Sequence, residues 1–507
     1  MIDNTIVFPV IVHLFTAILL LFFWRKTLAH RIISITGSTI GIAIAINLFA
    51  KVWGGDILTM EAAGWKSPFG ITFVADVFSS TMVLLTSFSG LAVSVFSAIG
   101  IARGRIIYGY FPMLHFLLMG LNGAFLTGDI FNLYVYFEVI IIASFVLITL
   151  GGRKAQIEGS VKYMAMNILA STFFLTGIGI LYGITGSLNM ADLSLKVAAL
   201  ENRTLVDLTA IFFIIGFGIK SAVFPLYFWL PSSYHTPPSA VAAVFAGLLT
   251  KVGIYALFRM FTLIFVPDEF TRTLLIVIAV LTILTGTFGA VIKNNIRRMF
   301  SYLIVCHIGF MVGGLGMYSE VALTGALFYL FHDIMVKTNI FLIAGLIRKL
   351  RGTMNMDKLG GLYAEYPLLS FVIAIVLFSL VGIPPLSGFW PKIYLFEAGL
   401  MDNQYVLIAA IIIGSFATLY VISMMWAKVF WKDQPTVEGE EALTDDFRPL
   451  SKFKKSLLVG PIVFLAAITL YIGLAAENVT QVAKHIAGEM KDTTPYIEAV
   501  LGTNETQ

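Results

Sequence analysis

Four lysines lie deep inside long apolar stretches of the sequence: Lys220, Lys251, Lys337 and Lys392. A charge at the centre of a membrane span costs on the order of 3 kcal/mol on insertion scales, so each is expected to face a hydrated interior and to serve a purpose there. A lysine can also reach the headgroups along its own stem, an interpretation that stays open for Lys392. Lys251 lies roughly 18 Å into its predicted helix and is less suited to that interpretation.

Buried acidic residues are fewer. Glu138 lies ten residues into an apolar stretch, where a carboxylate needs either a bound proton or a paired cation. Asp333 follows His332 and precedes Lys337 by one helical turn, so Asp333 and Lys337 share a helix face. Two interpretations remain open for them: a functional pair, or a local pair that only neutralises two buried charges.

The remaining polar positions in apolar stretches are isolated. His13, His115 and His307 are expected to be hydrogen-bonded core residues, and a water-wire role is the alternative for His307. The only cysteine, Cys306, excludes disulfides and a cysteine-based metal site. No metal site and no cofactor motif for a flavin, haem or iron–sulfur cluster is predicted.

The composition defines the elements that must position these residues. Hydrophobic residues make up 58% of the chain and charged residues only 12%, which is typical of a polytopic membrane protein and not of a soluble domain. The net charge of +4 is too small to indicate nucleic acid as a partner. The first apolar segment has no small-residue cleavage site and is interpreted as a retained span.

About fourteen apolar runs are long enough to cross a bilayer as helices. They lie near 5–24, 32–52, 76–98, 108–126, 128–150, 161–184, 205–226, 239–265, 273–292, 300–318, 321–347, 367–400, 405–430 and 457–475. Lysine and arginine concentrate in alternate loops, which predicts that both termini face outward and that the linker 431–455 is cytoplasmic.

Two predicted spans, the seventh and the twelfth, contain proline together with tryptophan and lysine: GFGIKSAVFPLYFWLP (216–231) and VGIPPLSGFWPK (381–392). Proline interrupts a membrane helix, and the freed carbonyls are tolerated where they line a wet cavity or are buried by protein. Because the breaks fall five spans apart, the sequence predicts two inverted five-helix repeats with discontinuous helices. The predicted units are 1–107, 108–265, 266–430 and 431–507.

The fold and these residues together resemble a known family. The run LPSSYHTPPSAVAAVFAGLLTKVGIYALFR (230–259) resembles the signature of antiporter-like membrane subunits shared by complex I and multisubunit cation/proton antiporters. The stretches HDIMVKTNIFLIAG (332–345), NLYVYFEV (132–139) and GIPPLSGFWPK (382–392) are similar to the D subunits of Mrp-type Na⁺/H⁺ antiporters. The resemblance covers nearly the whole chain. Asp333 departs from it, since the family commonly has a second histidine there.

The resemblance implies roles for individual residues at the first half of a proton relay. Glu138 would pair with Lys220 on the first broken helix, and Lys251 would be the central relay lysine of the eighth helix. His235, in the loop before that helix, would lie near the cytoplasmic mouth. Breaking the Glu138–Lys220 pair would favour proton release from Lys220 toward Lys251, because an unpaired, desolvated lysine holds its proton less well.

The second half of the relay would join Lys251 to Lys392 on the second broken helix through His332, Lys337 and water. His307 and Asp333 would be accessory residues. Lysine at 392 matches the pattern of the Mrp D subunits, whereas the middle complex I homologue typically has glutamate there.

The implied function is that of a proton-translocating subunit in a hetero-oligomeric Na⁺/H⁺ antiporter, which is a secondary transporter and not an enzyme. The implied partners are subunits like A, B, C, E, F and G, with protons and Na⁺ carried by the complex in a bacterial inner membrane. One alternative is a proton-pumping subunit of a respiratory NADH dehydrogenase or membrane-bound hydrogenase. Another is a scaffold that holds partners without conducting.

Overall fold

The computed structural model describes residues 3–435 and 449–502, so most of the linker expected at 431–455 lies outside the described residues. The described chain is almost entirely helical. The helices of the first part are α1 (Phe8–Phe22), α2 (Thr27–Trp53), α3 (Val77–Gly100), α4 (Arg103–Ile107), α5 (Tyr110–Leu126), α6 (Ile130–Thr149), α7 (Lys154–Thr185), α8 (Met190–Ala199), α9 (Thr204–Ser221), α10 (Trp229–Ser233), α11 (Ser239–Val244) and α12 (Thr250–Leu263). Those of the second part are α13 (Glu269–Val291), α14 (Ile296–Met317), α15 (Glu320–Arg351), α16 (Leu362–Glu365), α17 (Pro367–Val381), α18 (Trp390–Met401), α19 (Tyr405–Trp426), α20 (Lys452–Leu474), α21 (Ala476–Lys491) and α22 (Thr494–Leu501).

The membrane region follows the apolar runs of the sequence. In the described residues, twelve helices are long and apolar enough to cross a membrane, and α5 and α17 are shorter apolar helices. Every predicted span therefore has a helical counterpart, and the protein is a multi-pass membrane protein. Many helices begin where a short polar side chain accepts a hydrogen bond from the first turn. These N-cap residues include Asp76, Asp129, Asn189, Asp268, Asn295 and Ser319.

Three helical spans form the core of the molecule. The span Ser239–Leu263, which includes α12, is completely buried over its most apolar window, and α14 and α15 are 94% buried over theirs. A π-helical turn, Phe245–Leu249, joins α11 to α12 within the first of these spans. Charges carried by these helices have no access to lipid, so they must be balanced by one another.

Both predicted helix breaks are present, and their backbones are alike. After α9, Ala222 adopts a left-handed conformation with φ of 62°, and after α17 Gly382 does so with φ of 88°. The next N–H group donates back across the turn in each case, from Val223 to Gly218 O at 3.0 Å and from Ile383 to Phe378 O at 3.1 Å. The seventh and twelfth predicted spans are therefore discontinuous, as the prolines predict.

A second pair of matching features supports a relation between the two halves. Isolated β-bridges join Asp129 to Asn189 and Asn295 to Asn355, the same number of residues apart in each case. Each bridge ties the start of one membrane helix to the chain just after the following membrane helix. The inverted relation of the two units and their boundaries stay predictions.

The sequence did not predict the structure on the face that carries both termini. Two antiparallel strands, β1 (Leu58–Glu61) and β2 (Thr72–Ala75), form a hairpin between α2 and α3. The N–H group of Asp3 donates to Thr59 O at 3.0 Å, so the N-terminal segment lies on this hairpin. The tail expected after the last span instead folds into α21 and α22. Whether this face is the outer one stays a prediction.

Candidate functional site

Lys251 and Asp333 form an ion pair in the core of the membrane region. The Lys251 Nζ lies 2.7 Å from the Asp333 Oδ2, and neither side chain is exposed. Lys251 also donates to the carbonyl oxygen of Ala246 at 2.7 Å. Ala246 belongs to the π-helical turn, where the wider winding leaves a carbonyl available to a side chain. The sequence predicted that Lys251 is central but not that Asp333 is its partner.

Asp333 also serves other neighbours. Its Oδ1 lies 3.8 Å from the Lys337 Nζ and 3.3 Å from the His307 Nδ1, and His307 Nε2 lies 3.4 Å from the Thr418 hydroxyl. We call Lys251, His307, Asp333 and Lys337 the central cluster. The central cluster contains one carboxylate and two lysines. Asp333 can therefore fully balance the charge of only one lysine at a time. Asp333 is thus the common partner of the cluster, and Lys251 is a nearer partner of Asp333 than Lys337 is.

The second helix break lies beside His332. His332 Nδ1 lies 2.7 Å from the hydroxyl of Ser387, which is in the irregular segment between α17 and α18. Lys392 donates from Nζ to the carbonyl oxygen of Val381 at 2.6 Å, so it spans the same break from the other side. Lys337 donates to Leu303 O at 3.1 Å and has no direct contact with Lys392 among the described residues. The break gives both His332 and Lys392 polar partners.

Glu138 and Lys220 do not form the expected ion pair in this structure. Lys220 is buried, with its Nζ 4.6 Å from the centre of the Phe137 ring and 3.5 Å from the Ser171 hydroxyl. Glu138 is the next residue on α6, turned about a quarter of the way around the helix from Phe137. Its Oε1 is buried without a hydrogen-bond partner among the described residues. The structure therefore has Lys220 protected by an aromatic face and Glu138 unpaired.

The two breaks have their lysines on opposite sides, as the two sequences already show. Lys220 precedes the first break, and that break is spanned by Trp229, whose Nε1 donates to Ile219 O at 3.0 Å. Lys392 follows the second break and spans it. The corresponding Trp390 instead donates to Gly473 O on α20 at 2.9 Å. Only the second break is thus held by a titratable side chain.

His235, in the loop between α10 and α11, lines an open cleft of about 280 Å³ together with Glu158, Lys162, Lys293 and Arg298. Its Nδ1 donates to Pro231 O at 2.8 Å. Burial and the nearby charge of Arg298 lower the pKa of His235 to about 4, so the ring is neutral at physiological pH. It lies on the face opposite to the chain termini, at the end of the span that leads to Lys251.

Sequence reasoning missed a second ionic group near the face that carries the termini. Arg259 pairs with Asp76 at 2.6 Å. The apolar runs place Arg259 near a helix end and indicate no role for it, although it follows Lys251 by two helical turns. Among the described residues, no group of three or more histidine, cysteine, aspartate or glutamate side chains could hold a metal ion.

Comparison with known proteins identifies relatives of the chain in sequence and in fold. A family profile described as NADH:quinone oxidoreductase/Mrp antiporter, transmembrane, matches residues 127–418. The D subunit of the Na⁺/H⁺ antiporter of Alkalihalophilus pseudofirmus is 41% identical over 98% of this chain and 99% of its own length. A chain in the structure of the Mrp complex from Dietzia sp. has a TM-score of 0.90 at 29% identity, covering 98% of this chain and 99% of that one.

Redox complexes contain the same fold. A chain of the membrane-bound sulfane sulfur reductase, an archaeal respiratory membrane complex, has a TM-score of 0.86 and covers 98% of this chain and 100% of its own length. At 23% identity, that likeness concerns the fold alone. The resemblance to the D subunits of Mrp-type antiporters is confirmed, and the chain belongs to the NADH:quinone oxidoreductase/Mrp antiporter family of transmembrane proteins.

Proposed function

We propose that the chain is a proton-translocating subunit of a hetero-oligomeric Na⁺/H⁺ antiporter, and that it acts as a secondary transporter. The observation that carries this proposal is the buried central cluster, in which one carboxylate serves two lysines in the middle of the membrane region. Such groups are costly in a membrane and typically belong to proton or ion pathways. The 41% identity to a protein named as the D subunit of a Na⁺/H⁺ antiporter supports the same function.

The central cluster provides a physical basis for moving a proton. A buried lysine keeps its proton when a carboxylate is close and releases it more readily when the carboxylate is withdrawn. Asp333 lies 2.7 Å from Lys251 and 3.8 Å from Lys337, so a small shift of the carboxylate exchanges which lysine is favoured as the protonated one. A proton leaving the less favoured lysine then moves to a neighbouring basic group or to water. His307, 3.3 Å from the same carboxylate, is a further group that can accept or donate a proton within the cluster.

Glu138 and Lys220 would act as the gate of this pathway. In the arrangement described, Lys220 has no carboxylate in contact, and the charge of Glu138 acts on it only at longer range. Movement that brings Glu138 onto Lys220 would load Lys220 with a proton, and separation would release that proton toward Lys251. Cation movement elsewhere in the complex needs only to change the stability of this pair.

His332 and Lys392 would carry the proton through the second break. Lys392 is partly exposed and its Nζ rests on the carbonyl of Val381, while His332 contacts Ser387 in the same break. The freed backbone groups there can hold water between the two side chains. Lys337 would join this segment to the central cluster.

The chain would work in an assembly with subunits like A, B, C, E, F and G in a bacterial inner membrane, with both termini outward. The relatives named as D subunits of Na⁺/H⁺ antiporters, at 41% and 39% identity, support this assembly. The remaining candidate is a proton-pumping subunit of a redox complex. It is supported by the family profile, whose description includes NADH:quinone oxidoreductase, and by a shared fold at 23% identity.

The deciding experiment measures Na⁺-driven proton movement by the purified complex in liposomes that contain a pH-sensitive dye. Lys251→Ala is expected to abolish exchange while the complex assembles normally, and Lys66→Ala, at an exposed position of the hairpin, is the matched control. If the Lys251→Ala complex exchanged protons at the wild-type rate, the chain would be a scaffold that does not conduct protons. Absence of Na⁺-driven exchange by the wild-type complex, with proton pumping driven by electron transfer, would assign it to a redox complex.

A further inference from the structure

The Arg259–Asp76 pair is a buried ionic group outside the relay described above. Arg259 Nη2 lies 2.6 Å from Asp76 Oδ2, and the Asp76 residue is 3% exposed. The other carboxylate oxygen of Asp76 accepts from the N–H group of Ser79 and caps α3. The pair therefore joins the end of α12 to the start of α3, on the face that carries the chain termini.

The C-terminal helix α21 adds a second carboxylate to this pair. Its buried residues Ala483, Ile486, Ala487 and Met490 recur at helical spacing and hold one face of the helix against the membrane region. Glu489, beside this face, lines a small cavity of about 20 Å³, roughly the space of one water molecule, that Asp76 and Arg259 also line. Without α21 this cavity would be open to water.

Glu489 is the group in this cavity that is able to change its charge near neutral pH. Its Oε2 is buried without a hydrogen-bond partner among the described residues, and its Oε1 lies 3.3 Å from His485 Nε2. Burial and, secondarily, the charge of Asp76 raise the pKa of Glu489 to about 8, against the opposing effect of Arg259. Arg259 keeps its proton at all working pH values.

Three other polar side chains lie near Glu489 and the cavity. The ring of Tyr496 lies 5.2 Å from Arg259 Cζ, and burial raises the pKa of Tyr496, which keeps its hydroxyl neutral. Asp492 lines the same cavity at the end of α21. His485 is about half exposed and lies between Glu489 and water.

One face of α12 connects this cavity to the central cluster. Lys251, Tyr255 and Arg259 follow one another at intervals of four residues, so they lie along one side of the helix over about 12 Å. The Tyr255 hydroxyl accepts from Arg259 Nη2 at 3.2 Å and donates to Phe125 O at 2.7 Å. Because arginine does not release its proton and a peptide carbonyl does not relay one, Tyr255 serves here to hold Arg259 in place beside the cavity.

We propose that Glu489, held beside the Arg259–Asp76 pair by α21, exchanges protons between the Lys251–Asp333 pair and the aqueous phase on the face of the termini. This inference rests on the proposed function. With Glu489 ionised, the two carboxylates outweigh Arg259 and attract a proton. Lys251 gives up one proton and becomes a neutral amine, and Glu489 takes up one proton and becomes a neutral carboxyl, with water in the small cavity as the final donor to Glu489. Glu489 then releases that proton to the solvent, and the cavity returns to its first state.

The test uses the complete purified complex with Glu489→Gln, and Glu477→Gln at an exposed position of the same helix is the control. Na⁺-driven exchange is expected to fall at least about tenfold with Glu489→Gln and to be unchanged with the control. An infrared pH-difference spectrum supplies a readout that is independent of activity. A protonated-carboxyl band that titrates above pH 7 is expected in the wild type and in the control, and it is expected to be missing from Glu489→Gln.

A purely structural role for Glu489 predicts a different outcome, in which exchange keeps its rate and pH profile and the infrared band remains. That result would overturn the inference. Glu489→Asp covers the case in which the glutamine variant does not assemble, since its shorter side chain draws the carboxyl from the cavity and is expected to shift the band to lower pH. An unshifted band would also reject the proposal. Lys251→Ala is measured in parallel: loss of exchange there with normal exchange in Glu489→Gln rejects this inference alone, whereas normal exchange in both rejects the proposed function.

Discussion

Lys251 of α12 and Asp333 of α15 meet at 2.7 Å in the part of the protein where neither side chain is exposed. The two residues come from different helices, so the pair holds these helices together as well as balancing charge. Removing one member of such a pair leaves an uncompensated charge in a medium that cannot solvate it. The sequence predicts an accessory role for Asp333, and its position makes it the centre of the buried network.

Asp333→Asn is the direct test of that position. It removes the negative charge with little change of shape, so we expect exchange to be abolished and the free energy of unfolding to fall by about 3–5 kcal/mol. Exchange in liposomes and thermal unfolding of the purified complex measure the two effects. The control is Asp192→Asn on α8, whose partner is a more exposed lysine. Wild-type exchange by Asp333→Asn would contradict a role for the carboxylate in transport.

Glu138→Gln tests the gate. The substitution keeps the size of the side chain and removes only its charge, so the complex is expected to assemble while ΔpH-dependent exchange in inverted vesicles collapses. Glu201→Gln, at an exposed position of the loop before α9, is the control. Exchange near the wild-type rate would eliminate the Glu138–Lys220 gate.

The three fully buried lysines are expected to differ in their contributions. Lys220→Ala and Lys251→Ala should each abolish exchange. Lys337→Ala should be milder, because its Nζ is 3.8 Å from Asp333 and a carbonyl oxygen is its nearer partner at 3.1 Å. Exchange rates of the three variants, matched for subunit content, make the comparison. An equal loss of exchange in all three variants would indicate that Lys337 is as necessary for proton transfer as Lys251.

Lys392→Arg separates charge from proton exchange at the second break. Arginine keeps the positive charge but hardly ever releases a proton, so exchange is expected to fall at least about tenfold, nearly as far as in Lys392→Ala. A lysine that only extends to the headgroups would be replaced by arginine without loss. Most of the wild-type activity in purified Lys392→Arg complex would therefore reject the titrating role.

His235 gives a prediction about pH. Its pKa is lowered to about 4 in the folded protein, whereas an unfolded chain binds this proton below a pH of about 6.5. As the pH falls from about 6.5 to about 4, His235 binds a proton in the unfolded chain but not in the folded protein. The free energy of unfolding therefore decreases over this pH range. We expect His235→Gln to reduce the fall in unfolding temperature between pH 7 and pH 5 and to leave the pH profile of exchange above pH 7 unchanged. A shifted exchange profile would indicate that His235 titrates during transport.

The sequence predicted the membrane helices well, because the length of an apolar run is a local property that the bilayer sets directly. Both breaks were equally predictable, since proline and the left-handed residue before it act within a few residues. The partners of the buried charges were not predictable in this way. Lys251 meets Asp333 only because α12 and α15 pack together, and the helical spacing of the sequence favoured Lys337 instead.

The tail was missed for a different reason. The buried residues of α21, such as Ala483 and Met490, recur at helical spacing, but the helix is too short and too polar to be recognised as a membrane span. Its pattern was available in the sequence and would have predicted an amphipathic helix lying on the surface. Glu138 shows the opposite case, since its place in an apolar run can be read from the sequence, whereas its orientation relative to Lys220 was not predicted.

The hydrogen bond from Lys392 to Val381 O connects a titratable amine to the last turn of α17. The unpaired carbonyls at the end of a helix carry about half a negative charge, and they stabilise the ammonium form of a nearby lysine. Loss of the proton from Lys392 would weaken this attraction. The charge-assisted hydrogen bond between α18 and the end of α17 would then be lost. In the proposed relay, the arrival and departure of a proton at Lys392 would therefore strengthen and weaken the contact between α17 and α18.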